Sequence, residues 1–199
     1  MKRVINVPSC VIHEEVGYYL SKKLSLNSYD YYLGLLAPDS PNYKSFAEKN
    51  VRWIAHQRSS DYNEWRNNIK KLYSKEINNY SKDFILGYYI HILTDIIYDE
   101  FIYLKVRKKI IDEGISLDNS HNEMSSDMEK YSFIGIKDVI NILNSSDKTY
   151  DILNISKDIM TLWKERKLVE FNMFNNSKYI TEDIINELNE MVYEEVKNM

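Results

Sequence analysis

Apolar residues recur every three to four positions along most of the chain, the period of an α-helix with one buried face. Between Val11 and Leu24 the face is made by Ile12, Val16, Tyr19, Leu20 and Leu24. A shorter helix is predicted over Ser28–Leu36. It must stop before Pro38, because proline pushes the preceding residue out of helical conformation. Ala37–Tyr43, with Pro38 and Pro41, reads as a loop, and another helix lies within Lys44–Gln57. Asp61 and Glu64 form a capping-box pair at the start of a helix reaching Tyr80. Ser81 caps a long helix over Lys82–Asp112, which Gly114 ends. A loop runs to about Asn119, and further helices are predicted over His121–Tyr131, Lys137–Asn144, Tyr150–Lys167 and Thr181–Lys197.

The turn-formers agree with this pattern. With 5 Gly and 3 Pro in 199 residues, the chain lacks the turns that a sandwich or barrel needs at every strand end. The expected fold is all-α, a multi-helix bundle. At this length one helical domain over residues 1–199 is expected. Hydrophobic residues make up 44% and aromatic residues 13% of the chain, so disorder is excluded. A single Cys excludes a disulfide framework and a Cys-based zinc finger. The net charge of −4 gives no general attraction to nucleic acid or anionic lipid. The first residues are basic but carry no apolar stretch of signal-peptide length before His13, so a cytoplasmic location is expected. The most apolar run, Phe84–Tyr98, contains His91 and Asp95 and is too short and too polar to span a membrane. Asn, Ile, Lys and Tyr, all with AT-rich codons, are over-used, which implies an AT-rich, bacterial genome.

The chemistry concentrates in residues 1–112, whereas residues 113–199 carry no motif that assigns them a role. His91 and Asp95 stand four apart, so imidazole and carboxylate share a helix face. Their helix is apolar on nearly all sides and therefore buried. A buried carboxylate costs several kcal/mol unless it is paired or bound to metal. The pair fits either a hydrogen bond inside the core or a metal site. Gly87, one turn before His91 on the same face, leaves room for an ion or ligand at a helix cost of about 1 kcal/mol. Asp39 follows Ala37-Pro38 on a stiff segment, and His13 and His56 each lie beside strongly apolar residues. Three His and two Asp are suitable donors for zinc or a similar metal. Helical bundles build such sites from inward-facing side chains of separate helices.

The order His13, Gly34-xx-Ala37-Pro38-Asp39, His56, Gly87-Tyr88-Tyr89-Ile90-His91-xxx-Asp95 resembles the zinc-dependent phospholipase C family. That family shares an all-helical superfamily with the single-strand-specific zinc nucleases. The resemblance covers roughly residues 7–100. It implies one metal site made by Asp39, His56, His91 and Asp95, and a second to which His13 and a bridging Asp95 contribute. In the secreted enzymes of the family the N-terminal residue also ligates the second metal, a place that Met1 would take here. Those enzymes hold a third metal with downstream His and Glu ligands. Here only His121 follows, and no HxxxE accompanies it. Asp99 and Glu100, one turn beyond Asp95, could substitute as ligands or contact substrate. One or two zinc ions are therefore expected. Asp39 is implied as an additional general base.

The function these residues imply is metal-dependent hydrolysis of a phosphoester, with metal-activated water as nucleophile. The substrate expected is a phospholipid or a small phosphoester. Two alternatives remain open: a nuclease-like phosphodiesterase, and a non-catalytic metal-binding or scaffold protein with part of the site.

Overall fold

The computed structural model describes residues 7–199. Every regular element in them is helical, apart from one isolated bridge between Ile152 and Ile155. Helix α1 spans Cys10–Leu24 and α2 spans Tyr29–Leu36, followed by a 3₁₀ turn over Ala37–Asn42. Helices α3 (Lys49–Ala55), α4 (Tyr62–Glu76) and α5 (Lys82–Ile97) complete the part that carries the candidate ligands. A π-turn over Tyr98–Ile102 joins α5 to α6 (Tyr103–Asp112). The chain continues through α7 (Ser120–Met128), α8 (Ile136–Leu143), α9 (Lys157–Glu170) and α10 (Glu182–Val196).

Helix α5 is the axis of the bundle because it has almost no polar face to give to water. Phe84, Ile85, Gly87–Leu93 and Ile96–Ile97 are all buried. It is surrounded by α1, α2, α4 and α10. Its closest neighbour is α2, and two glycines set the approach. A Cβ on Gly87 would lie 2.1 Å from the Tyr31 carbonyl oxygen, and one on Gly34 would lie 2.2 Å from that of Phe84. The space left by the missing Gly87 side chain is thus filled by the backbone of α2. The expectation that it makes room for an ion is corrected: the glycine brings two helices together.

The halves of the chain share one core. Ile12, Leu35 and Ile92 belong to the same buried cluster as Val139, Leu188 and Val192. Helix α10 packs on α1 and α5, and α9 packs on the 3₁₀ turn. Among the described residues no helix is long and apolar enough to cross a membrane.

Several element boundaries differ from the sequence reading. Residues 37–42 are not a loop but a 3₁₀ turn continuing from α2, in which the Ser40 hydroxyl donates to the Ala37 carbonyl at 2.7 Å. Proline's fixed φ is compatible with such a turn, even though it ends the α-helix. Asp61 accepts from the Glu64 N–H at 2.8 Å, but the reciprocal half of the capping box is absent. The Ser59 hydroxyl takes the Glu64 carboxylate, and the Asp61 N–H donates to Ser59 Oγ. The helix that Asp61 opens ends at Glu76, with a turn to Tyr80. The long helix over 82–112 is interrupted by the π-turn. Residues 150–156 are not helical. Ser156 caps α9 by accepting from Ile159 N–H, and Leu153 takes φ 52° in the tight turn that pairs Ile152 with Ile155. Buried isoleucines at that spacing match a helical period without belonging to a helix.

Candidate metal centre

Each expected ligand is fixed by the local structure that carries it. His13 lies in the first half of α1, facing the core. His91 and Asp95 share the inner face of α5. Asp39 sits in the 3₁₀ turn that leaves α2. His56 is the C-cap of α3, and the chain reverses immediately after it. Gln57 takes φ 50° there, and the Arg58 N–H reaches back to the Trp53 carbonyl at 3.0 Å. That left-handed residue closes the helix end. The indole N–H of Trp65 donates to the His56 carbonyl at 2.7 Å and holds the cap in place.

The structure brings all five side chains together, although they come from four elements. His13, His56, His91 and Asp95 are at most 1% exposed, while Asp39 retains some access to solvent. Two overlapping groups have the spacing to hold a metal ion: His13 with His91 and Asp95, and Asp39 with His56 and His91. His13 Nε2 lies 3.3 Å from Asp95 Oδ1, and His56 Nε2 lies 3.3 Å from Asp39 Oδ1 and 3.7 Å from Asp95 Oδ2. The rings of His13 and His91 are stacked at 3.6 Å between centroids.

Backbone contacts orient two of the imidazoles. His91 Nδ1 donates to the Leu35 carbonyl at 2.6 Å, across the close α2–α5 contact. His56 Nδ1 donates to the Arg52 carbonyl at 2.9 Å. Each bond leaves the Nε2 lone pair free to face inward, the arrangement found at metal-bound histidines. Those Nε2 atoms, both ring nitrogens of His13, and Asp95 Oδ1 are buried without a hydrogen-bond partner. Buried polar atoms are nearly always satisfied, and so many orphans converging at one point fit a missing cation. The donor set, imidazole nitrogen with carboxylate oxygen, suits zinc and related divalent metals. His91 offers one free nitrogen and so serves one ion. Asp95 has one oxygen toward His13 and the other toward His56, so it could face two.

The electrostatics keep His91, Asp39 and Asp95 in ligating form. Burial, and then His13, push His91 down to about 3, against the pull of Asp39 and Asp95, so it is neutral at physiological pH. Burial alone would raise the Asp39 carboxyl, but His56, His91 and His13 outweigh it and hold it far below the usual range. Asp95 is also lowered, since His13, His56 and His91 overcome the effect of burial. Neutral imidazole and ionised carboxylate are the forms that bind metal.

A cleft of about 750 Å³ reaches this cluster, with Asp39 and Arg58 in its wall. Lys44, Lys49, Arg52, Arg166 and Lys167 also line it, against the acids Asp39 and Glu129. Six cations against two acids make the cleft wall positive, although the net charge of the chain is −4. His121 is exposed, lines the same cleft and lies near the Tyr103 ring, outside the two groups. Asp99 is buried and accepts from the Tyr62 hydroxyl at 3.0 Å. Glu100 pairs with Arg66 at 2.8 Å, and Arg66 also forks onto Glu195. Neither acid belongs to the two groups. The N-terminal residue, the further ligand that the resemblance implies, lies outside the described residues.

No family model, curated protein or solved structure matches this chain.

Arg58 is the site residue that the sequence reading missed. Its side chain is 4% exposed, and its Nη2 lies 3.5 Å from Asp95 Oδ2. The available signal was its position two residues after His56, beyond a helix end.

Proposed function

We propose that the protein is a zinc-dependent phosphoester hydrolase resembling phospholipase C. The observation that carries this reading is the set of buried, unsatisfied His and Asp donors joined to a cationic cleft through Asp39. His13, Asp39, His56, His91 and Asp95 would hold one or two ions. Bound zinc polarises phosphoryl oxygens and lowers the pKa of a coordinated water to about 7.

The chain's own residues supply the rest. Asp39 is the member of the cluster that keeps contact with the cleft, at 16% side-chain exposure. It can orient a water at the cleft floor, but a carboxyl held so far below its usual range is a weak proton acceptor, so the general-base role that the resemblance implies is not part of this reading. The cations of the cleft wall draw in and orient a phosphoester anion. A phospholipid is the substrate favoured, because Phe46 and Ile54 are exposed on and beside α3, and Phe46 lines the cleft. Such residues suit the acyl region of an amphiphile better than a polar strand. A cytoplasmic location remains part of this proposal.

The test begins with elemental analysis of protein purified without added metal. One or two equivalents of zinc per chain are expected, with metal-dependent cleavage of bis(p-nitrophenyl) phosphate and of phospholipid vesicles. Cleavage of single-stranded DNA with no action on vesicles would replace the lipid reading with the nuclease one. Protein that contains no zinc and takes up none on titration would overturn the metalloenzyme, while bound zinc without any hydrolysis would leave a metal-binding scaffold.

A further inference from the structure

A guanidinium buried against a metal-ligating cluster needs a reason, because it carries five N–H donors and a charge that desolvation penalises. Arg58 has few partners. One donor reaches Asp95 Oδ2 at 3.5 Å, and the guanidinium lies over the Trp65 ring at 5.7 Å. Its Nε is buried with no partner. Asp95 is a divided counterion, since the same carboxylate also faces His13 and His56. Arg52 stands near enough for the two guanidinium groups to repel each other. Both line the cleft next to Asp39. Arg52 is engaged by the Ala47 carbonyl and the Phe46 ring, so Arg58 is the cation in this part of the wall whose N–H donors are left short of partners.

Resting on the hydrolase reading, we propose that Arg58 is the phosphoryl-binding residue of the site, donating to non-bridging oxygens of the substrate while the metal ligands hold the floor. The planar fork of arginine matches two phosphoryl oxygens at once, which an ammonium cannot do. The same geometry keeps its charge beside the oxygens that gain negative charge in the transition state.

The test uses the full chain, its Arg58→Gln and Arg58→Lys variants, and inorganic phosphate as the probe. Zinc content is measured first, and phosphate affinity is then titrated calorimetrically on each zinc-loaded protein. Both variants should keep the wild-type zinc content. Phosphate affinity should fall tenfold or more in Arg58→Gln and recover only in part in Arg58→Lys. With bis(p-nitrophenyl) phosphate, KM should rise and kcat should fall. Unchanged phosphate affinity in a zinc-loaded variant would overturn the proposal. So would loss of zinc from both variants, which would make Arg58 a support for Asp95. If the wild type binds no zinc, the hydrolase reading fails separately. Phosphate titration of the metal-free proteins then decides Arg58, and equal affinities in wild type and variants would overturn it.

Discussion

Two aspartates buried to the same degree show how differently a carboxylate can be used. Asp127 on α7 is 1% exposed, and Asp95 on α5 is 0% exposed. Asp127 Oδ1 accepts from the Lys178 N–H at 2.7 Å, and its Oδ2 accepts from Tyr179 and Ile180 at 2.8 and 2.9 Å. Three backbone donors tie the segment before α10 to α7, and the carboxylate is fully satisfied. Asp95 has one long bond, from Arg58 to Oδ2 at 3.5 Å, and histidines face it without bonding it. Its Oδ1 and the facing His13 Nε2 both lack hydrogen bonds at 3.3 Å. Burial alone therefore does not mark a candidate metal ligand. What separates the two is whether the neighbouring donors are already engaged.

Substitution of the two residues should separate metal binding from folding. The largest effect expected is in Asp95→Asn. Zinc at 1,000 times its Kd stabilises the folded state by about 4 kcal/mol. That increment should disappear in the variant, read as the difference in unfolding free energy with and without zinc. An undiminished zinc increment would place Asp95 with Asp127 as a structural residue. Asp127→Ala should do the reverse. It strands three N–H groups, two of them buried, and should cost about 3 kcal/mol in denaturant unfolding, with zinc content unchanged. A cost below about 1 kcal/mol would show that water replaces the carboxylate there.

A third carboxyl sharpens the contrast by pH. Glu15 is pushed up to about 7, first by burial and also by Glu182, against a hydrogen bond from Asn189. Its folded pKa lies above the unfolded value of 4.5, so the folded state holds the proton more tightly. The associated stability is fully present below pH 4.5 and is lost as pH rises through 7. Glu15→Gln should therefore stabilise the protein by about 3 kcal/mol at pH 8 and hardly at all at pH 4. An equal effect at both pH values would show that Glu15 does not titrate in this window.

The site was more legible than its supports. His91 and Asp95 could be paired from their spacing, because four residues on a helix return to the same face. His13, Asp39 and His56 could be named as donors, but their meeting depends on how α1, the 3₁₀ turn and α3 pack around α5. Arg58 escaped notice because its role depends on where a helix end points. Gly87 was misread for a similar reason. A missing side chain is visible in the sequence, but what fills the space is decided by the neighbouring helix. The stretch 150–156 shows the limit of periodicity, since Ile152 and Ile155 are buried in a tight turn.

The sequence by itself determined the helical class, the burial of α5 and the types of ligand available, because these follow from the spacing of residues close along the chain. Only the tertiary structure decided that candidate ligands from four elements meet, that Asp127 is satisfied while Asp95 Oδ1 is not, and that six cations line one cleft. Those outcomes depend on contacts between residues far apart in the chain, where helix packing sets the distances that local spacing does not.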